Sequence, residues 1–187
     1  ANPVGFTHVI TPSATEGCTE MVRTSTQATN RGCRFAVNAG PFNMDTGACM
    51  GSIISNSTVF QLDGVSGYSS FGMTADGRYV FGDVTDLEEV KENHITELVS
   101  GFIGPLLVNG DDPCSAHQDT DQVAQRQAVG INKDGILMFL TIDGTEYPAH
   151  SMTIPELCDA FKELGAVAAL NLDGGGSTTT WMDGDYV

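Results

Sequence analysis

The sequence predicts a mixed fold in which short β-strands joined by tight turns outnumber the helices. Asp76-Gly77 and Asp134-Gly135 each separate two apolar segments, and an Asp-Gly pair tolerates the positive φ angles that a type I′ hairpin turn requires. One clear helix pattern follows, between residues 151 and 164. Because hairpin turns join antiparallel strands, we expect largely antiparallel pairing.

The first half of the chain consists of predicted strands with one charged interruption. Residues 33–37 form an apolar run that ends at Asn38 and Gly40, which is typical of a buried strand opening into a small-residue turn. Short apolar segments then alternate with Gly-containing turns between residues 47 and 85. Residues 86–100 carry several acidic side chains with few apolar partners, which predicts a solvated loop or helix face.

The second half contains the helix and two further strands. Residues 136–140 are apolar at successive positions, so this arm of a hairpin is expected in the middle of a sheet with both faces covered. Ser151 or Thr153 caps the helix. Its predicted buried stripe consists of Ile154, Leu157, Cys158, Phe161 and Leu164. Residues 166–170 form a buried strand that leads into a turn at Asp173.

The composition excludes several classes of partner. The 187 residues fit one domain, and 24 acidic against 8 basic residues give a net charge of −16. Nucleic acid is not expected as a partner, because its phosphates require stripes of Lys and Arg. An anionic membrane surface would be repelled, and no direct membrane insertion is expected. A phosphate-bearing ligand requires local donors that override the general field.

The cysteines and one glycosylation pattern indicate a secreted or luminal protein. Five cysteines without a C-x-x-C pair and four scattered histidines favour disulfides over a zinc site, so neither a metal nor another cofactor is expected. Asn56, followed by Ser57 and Thr58, matches the N-glycosylation pattern. The expected location is the secretory-pathway lumen or the extracellular space. Because no signal peptide, transmembrane run or initiator Met is present, we expect a mature or clipped piece of a longer precursor.

Polar side chains stand at the ends of several apolar runs. These are Asn38 with Gly40, Asn109 with Gly110, Arg126, Asp143, and Asp173 followed by Gly174, Gly175, Gly176 and Ser177. A carboxylate at the end of a buried strand is held rigidly, and glycines let backbone N–H groups approach a ligand. The planar guanidinium of Arg126 suits a phosphate or a carboxylate. Two simpler interpretations stay open: a Gly-rich surface turn, and a salt bridge from Arg126 to Asp143 or Asp173.

The order of these motifs resembles that of the phosphodiester glycosidase family. The matching segments are residues 33–42, 46–51, 104–110, 126–130, 143–144 and 170–177. Each segment is short, but six in the same order at similar spacing are specific, and the resemblance extends from about residue 6 to residue 184. It implies an α+β domain with a mixed, largely antiparallel twisted sheet, a few packing helices, and active-site loops gathered at the strand ends.

The resemblance also bears on the limits of the domain and on its disulfides. We expect a single domain over residues 1–187 that is clipped at its C-terminal end, because the family domain continues with another strand after the Gly-rich turn. The alternative is that a neighbouring chain or a further domain completes the sheet. Cys18 and Cys49 occupy the positions of a family disulfide, whereas the family partner of Cys33 lies beyond the end of this chain. Cys114 and Cys158 are left as a further candidate pair.

The implied activity is hydrolysis of a sugar-1-phosphodiester at its anomeric carbon, such as removal of N-acetylglucosamine from a phosphoglycan. A phosphate leaving group departs without much protonation, so the larger requirement is to stabilise charge. Arg126 and the N–H groups of residues 174–177 are therefore predicted to hold the phosphate, with Asp173 or Asp143 as base or nucleophile. Asn38 and Asn109 are predicted to bind sugar hydroxyls or to hold a loop.

Two other functions stay open at this point. Pro41 stands where the family usually has an aromatic residue, and proline alters the pocket wall by fixing φ, so the chain could be a non-catalytic binding or structural module of an extracellular assembly. An ordinary glycosidase would use Asp143 and Asp173 as paired carboxylates, roughly 5–5.5 Å apart for retention or 6.5–9.5 Å for inversion. A pocket that contains Arg126, Asp143 and Asp173 together would favour catalysis.

Overall fold

The computed structural model describes residues 8–11, 13, 18, 20–62, 68–111, 113–114, 121–146 and 149–187. The helices in these ranges are α1 (Thr24–Arg31), α2 (Leu87–Glu92) and α3 (Ile154–Glu163), and a 3₁₀ helix covers Gly175–Ser177. The strands are β1 (Phe35–Val37), β2 (Ile53–Ser55), β3 (Thr58–Gln61), β4 (Ser70–Thr74), β5 (Tyr79–Gly82), β6 (Ile95–Ser100), β7 (Pro105–Leu107), β8 (Arg126–Asn132), β9 (Leu137–Ile142), β10 (Thr145–Glu146), β11 (Ala149–His150), β12 (Ala166–Asn171), β13 (Thr180–Met182) and β14 (Asp185–Tyr186).

The strands form two main sheets and two small ones. The larger sheet has the order β3-β2-β6-β4-β5 and the second has the order β7-β12-β8-β9. β1 pairs with β13, which also pairs with β14, and β10 pairs with β11. Every strand pair in the described ranges is antiparallel. The predicted α+β class is confirmed, although the strands are divided among several sheets instead of one.

The two main sheets pack face to face, with a helix on each outer face. In β8, Ala128 belongs to the core shared with α3, and Val129 belongs to the core between the sheets. In β6, Val99 points into that same central core, whereas Leu98 packs on the side of α2. Because neighbouring residues of a strand face opposite sides, each sheet contributes apolar residues to the central core between the sheets and to the core under its own helix.

Helix α3 begins where its sequence signals predict. Thr153 is the N-cap, and its backbone and hydroxyl form a reciprocal capping box with Glu156. Ser151, the other candidate cap, instead donates to the carbonyl oxygens of Ala124 and Asp143. Leu164 was predicted in the buried stripe, but it lies just past the last helical residue and is 51% exposed.

The prediction for residues 86–100 is wrong in its second half. Residues 95–100 form β6, the central strand of the larger sheet. Its Glu97 is only 4% exposed, and its carboxylate accepts hydrogen bonds from the backbone N–H groups of Val9 (2.9 Å) and Asn56 (3.1 Å). A buried carboxylate that is satisfied by backbone donors is compatible with a core strand, and this acidic residue obscured the strand pattern.

The hairpin predictions hold, with one correction to strand position. Residues 75–78 join β4 to β5, and residues 133–136 join β8 to β9. β9 was predicted in the middle of its sheet, but it stands at the end of the strand order. Both of its faces are nevertheless covered, because Met138 packs on the core of α3 and Phe139 on the central core.

The small sheet of β1, β13 and β14 joins the first strand in the described residues to the last two. Val37 of β1 lies opposite Thr180 of β13, and α1 packs on both strands. Two strands therefore follow the Gly-rich turn within this chain. Asn56 occupies an exposed turn between β2 and β3, and its glycosylation stays a prediction.

Two disulfides join distant parts of the chain. They are Cys18–Cys49 and Cys114–Cys158, while Cys33 is free. Among the described residues, no helix has the length and apolar character needed to span a membrane, and no cluster of three or more His, Cys, Asp or Glu side chains is placed to hold a metal ion.

The Cys114–Cys158 bond is expected to contribute strongly to stability. Its partners are 44 residues apart in sequence, and a cross-link over a loop of that size stabilises a protein by about 4 kcal/mol in the chain-entropy model. The Cys114→Ala/Cys158→Ala variant should therefore lower the free energy of unfolding by about 2–4 kcal/mol in urea titrations. Cys33→Ala is the matched control. Equal stability of the wild type and the double variant would contradict the prediction.

Candidate active site

The Gly-rich turn after β12 is hydrogen-bonded to the turn after β1. The backbone N–H of Asp173 donates to the carbonyl oxygen of Ala39 (2.8 Å), and the side-chain amide of Asn38 donates to the carbonyl oxygen of Asp173 (2.6 Å). The structure thus brings together two of the sequence-predicted groups, although they are 135 residues apart in the chain.

The side chain of Asn38 holds both arms of the Gly-rich turn. Its Oδ1 accepts a hydrogen bond from the backbone N–H of Thr179 (2.9 Å), while its Nδ2 donates to Asp173 (2.6 Å). Its backbone N–H also donates to the carbonyl oxygen of Thr179 (3.2 Å). Of its two predicted roles, sugar binding and loop support, these contacts match loop support.

A large open cleft runs along this pair of turns. Its volume is about 1050 Å³, which is the size of the larger ligand pockets of proteins. Its polar wall includes Asn38, Gly40, Asp173, Gly176, Ser177 and Thr179. Its apolar lining includes Phe71, Val99, Phe139 and Leu172 from the central core.

Asp173 is half-buried in this wall. Partial burial raises the pKa of its carboxyl above the ordinary value, while hydrogen bonds from the Ser177 side chain and the Gly174 backbone oppose that rise. A carboxylate whose pKa is shifted by desolvation and that lies in a cleft is a typical candidate for catalysis. The burial and the hydrogen bonds together hold the Asp173 carboxyl in a defined position and set its pKa.

Glycine is favoured at these positions of the two turns for different structural reasons. A Cβ atom on Gly174 would lie 2.6 Å from the carbonyl oxygen of Gln125, so this residue allows close packing against the segment before β8. Gly175 has a φ of 55°, which favours glycine. A Cβ on Gly176 would meet open space, so Gly176 leaves the cleft wall unobstructed. Gly40 packs too closely against the Ser100 carbonyl for any side chain.

Arg126 lies at the start of β8 with its guanidinium directed at main-chain oxygens. It is 5% exposed, and it donates from Nε to the carbonyl oxygen of Met152 (3.0 Å) and from Nη2 to that of Gln122 (2.5 Å). It does not line the large cleft. These contacts fix the segment before β8, to which Gly175 is also bound through the Gln125 carbonyl (2.9 Å).

Asp143 lies beside a second, smaller cavity of about 270 Å³. This cavity is lined by Thr141, Asp143 and residues 178–180, so Asp143 and Asp173 lie in different cavities that share Thr179 and Tyr186. The side chain of Asp143 is exposed and accepts a hydrogen bond from the Gly144 backbone N–H (2.7 Å).

Asn109 does not join the other predicted residues. It occupies an exposed turn with a φ of 51°, and the next residue, Gly110, donates its backbone N–H to the Val167 carbonyl at the start of β12. Asp173 follows the other end of that strand. At about 3.3 Å per residue, the length of β12 places Asn109 roughly 20 Å from the Gly-rich turn. The predicted gathering of all the turns into one pocket therefore does not extend to Asn109.

Sequence reasoning overlooked the arginines of the cleft. Three arginines line it: Arg23 and Arg31 at the two ends of α1, and Arg34. Residues 18–27 have an ambiguous pattern, but the eight-residue spacing of Arg23 and Arg31 corresponds to one face of a helix and could have revealed them.

The chain matches a known family over most of its length. The family model for phosphodiester glycosidases matches residues 31–187. The N-acetylglucosamine-1-phosphodiester alpha-N-acetylglucosaminidase of Mus musculus is 30% identical over 98% of this chain and 39% of its own length. The protein of the same name from Bos taurus is 30% identical over 97% of this chain and 38% of its own length. The chain thus spans about two fifths of the length of these relatives.

Solved structures share the fold. The zebrafish N-acetylglucosamine-1-phosphodiester alpha-N-acetylglucosaminidase catalytic domain, auto-inhibited by its pro-peptide, superposes with a TM-score of 0.85 at 29% identity, covering 99% of this chain and 66% of that one. A hypothetical protein from Synechocystis gives a TM-score of 0.69 at 13% identity over 94% of this chain and 52% of that one, which is a likeness of fold alone.

Proposed function

Because this chain belongs to the phosphodiester glycosidase family, we propose that it hydrolyses a sugar-1-phosphodiester at the anomeric carbon. The glycone is N-acetylglucosamine, as in the names of its relatives, and the remainder is a phosphate-bearing glycan or nucleotide. The observation that carries this proposal is the half-buried Asp173 in the wall of the large cleft, held in place by Asn38.

In the proposed reaction, the bond between the anomeric carbon and the phosphate oxygen breaks. The oxygen leaves with the phosphate, and the departing phosphate monoester needs little protonation because it is a stable anion. Asp173 acts at the anomeric carbon, either as the nucleophile or as the base for the attacking water. The anomeric form of the released sugar distinguishes these roles, since retention indicates a covalent intermediate and inversion indicates direct attack by water.

The exposed Gly176 face gives the substrate access to the turn. Because no side chain projects there, the sugar can approach the backbone and Ser177 closely. Asn38 supports the turn from behind through its bonds to Asp173 and Thr179. A phosphate role for Arg126, a reacting role for Asp143 and a sugar-binding role for Asn109 stay predictions. For Arg126, the bonds to Met152 and Gln122 support an indirect role through the segment before β8.

We also propose that the protein works in the secretory-pathway lumen or outside the cell. Two disulfides link its chain, and disulfides persist in oxidising compartments.

The test is incubation of the purified protein with UDP-N-acetylglucosamine, scored by the release of free N-acetylglucosamine and UDP. We expect release that depends on the native fold, with heat-denatured protein as the control. The release of glucose from UDP-glucose, measured in parallel, reports the selectivity for the acetamido group. If well-folded protein releases no sugar from UDP-N-acetylglucosamine or from an N-acetylglucosamine-phosphomannoside, the proposal is wrong, and a non-catalytic binding module becomes the better interpretation.

A further inference from the structure

The cleft holds a large share of the few basic residues of a strongly acidic protein. The chain carries 8 basic residues and a net charge of −16, yet three of the eight, Arg23, Arg31 and Arg34, line this cleft. The lining also contains Glu20, Glu97 and Asp173, so its formal charges balance, and an anion meets less repulsion there than over the rest of the acidic surface.

Two of these arginines share one face of α1. Arg23 immediately precedes the helix and Arg31 ends it, and positions eight apart fall within one broad face of a helix. With a rise of about 1.5 Å per residue, their Cα atoms are about 12 Å apart. Gln27, midway between them, also lines the cleft.

Helix stability does not account for Arg23. A basic residue in the last turn interacts favourably with the helix dipole, which is a sufficient reason for Arg31. At the N-terminus the same charge is unfavourable. The first turn of α1 has no acidic residue, and Arg23 makes no side-chain capping bond. Arg23 therefore stands at a position where it costs helix stability.

Neither side chain has a structural partner in the described ranges. Arg34 is paired with Asp183 at 2.9 and 3.2 Å, whereas no described residue forms a hydrogen bond or an ion pair with the side chain of Arg23 or Arg31. Both are exposed, so their guanidinium groups can reach a ligand in the cleft.

The start of α1 lies at the same end of the cleft as Asp173. The hydroxyl of Ser25 in its first turn is 2.7 Å from the hydroxyl of Tyr186, and the adjacent Val187 donates its backbone N–H to the Thr180 carbonyl (3.0 Å). Thr180 follows Thr179, which is bound to Asn38. Arg23 is thus linked to the Gly-rich turn through β14 and β13, and Arg31 lies at the other end of α1.

We infer that Arg23 and Arg31 form an anion subsite that holds the phosphate or pyrophosphate of the leaving group. This inference rests on the proposed function and assigns the phosphate contact to α1. Guanidinium groups suit phosphate because they offer several donors in a planar array, and the neutral sugar then lies toward Asp173. The substrates that fit are those with a charged phosphate half, in preference to neutral glycosides.

The first test measures UDP binding by titration calorimetry, which does not depend on turnover. Arg23→Gln/Arg31→Gln is compared with the wild type and with Lys133→Gln, which removes a charge from the exposed β8–β9 turn. We expect UDP affinity to fall by about tenfold or more in the double variant, because charge-assisted bonds to phosphate are lost, and to stay within about twofold in the control. Arg23→Lys/Arg31→Lys should restore part of the affinity, since the charges return without the planar fork.

The second test separates a binding role from a structural one. The double Gln variant should keep a thermal midpoint close to that of the wild type, because the unfavourable dipole interaction of Arg23 and the favourable one of Arg31 are removed together. Its kcat/KM on UDP-N-acetylglucosamine should fall. Hydrolysis of a neutral aryl N-acetyl-α-glucosaminide should change little. Wild-type UDP affinity in the double variant, or an equal loss in Lys133→Gln, would refute the subsite. Absence of all hydrolysis by the wild type would refute the proposed function, while UDP binding would still decide the subsite.

Discussion

Asp173→Asn is expected to reduce the release of N-acetylglucosamine from UDP-N-acetylglucosamine by a factor of about 10²–10⁴, the usual range for loss of a catalytic proton-transfer group. The reason is that Asn has neither a basic nor a nucleophilic oxygen of comparable strength, while its shape is close to that of Asp. The effect should be on kcat, because in the proposed mechanism Asp173 acts on the reacting bond and the arginines of α1 hold the phosphate. Turnover under saturating substrate measures it.

The pH dependence of the wild type should carry the signature of this carboxyl. Partial burial raises its pKa, so the reactive, ionised form is lost as the pH falls through that raised value. Ser177→Ala removes a hydrogen bond that lowers the pKa, and the acidic limb of the profile should therefore move to higher pH. An unchanged limb in Ser177→Ala would argue that another group controls it.

Stability provides an independent check on the same residue. Because the pKa of Asp173 is raised in the folded state, its stabilising contribution is present below the unfolded pKa and is lost as the pH rises through the folded pKa. Asp173→Asn should therefore not lower the thermal midpoint at neutral pH. Asp134→Asn, on the exposed β8–β9 turn, is the matched control for activity. If Asp143→Asn abolished turnover and Asp173→Asn did not, the catalytic assignment would pass to the smaller cavity.

Gly40→Ala is expected to lower the free energy of unfolding by about 1–3 kcal/mol or more, as other overpacking substitutions do. The added methyl group would meet the backbone carbonyl of Ser100 in β6 and the Val99 side chain, and a backbone oxygen cannot move aside as a flexible side chain can. At about 2–4 °C per kcal/mol for a chain of this size, thermal unfolding is a suitable measurement.

Gly176→Ala is the matched control for that stability experiment. Its added Cβ would meet open space, so the midpoint should stay near that of the wild type. If the thermal midpoint of Gly40→Ala equalled that of Gly176→Ala, the turn after β1 could move away from β6 without loss of stability. The predicted substrate role of Gly40 would then be the better reason for glycine at that position.

Features of the fold that are determined by residues close together in sequence were predictable from the sequence. The capping box of Thr153 and Glu156 fixes the start of α3 within four residues of sequence, and the Asp-Gly turns fix two hairpins in the same way. β6 was not predictable, because the burial of Glu97 depends on donors from Val9 and Asn56, more than 40 positions away in sequence. Its acidic side chain therefore resembled a solvated one.

The candidate site was partly predictable for the same reason. Asp173 and Asn38 follow apolar strands, and that local pattern identified both. The position of Arg126 depends on carbonyl oxygens of Gln122 and Met152, and that of Asn109 depends on the direction of β7 relative to β12. Neither is visible in a local pattern. The arginines of α1 were overlooked because a short helix with one buried residue, Ala28, has little apolar periodicity.

The bond between Asn38 and Asp173 has a consequence for how the protein acquires activity. It closes a loop of 135 residues, and such distant contacts form late in folding because the entropy of loop closure must be overcome first. The strand that supports this turn, β13, lies at residues 180–182. A nascent chain that lacks this segment has no β13 to pair with β1 and therefore no assembled cleft wall. The proposed activity thus requires that residues 180–182 have been synthesised and have paired with β1.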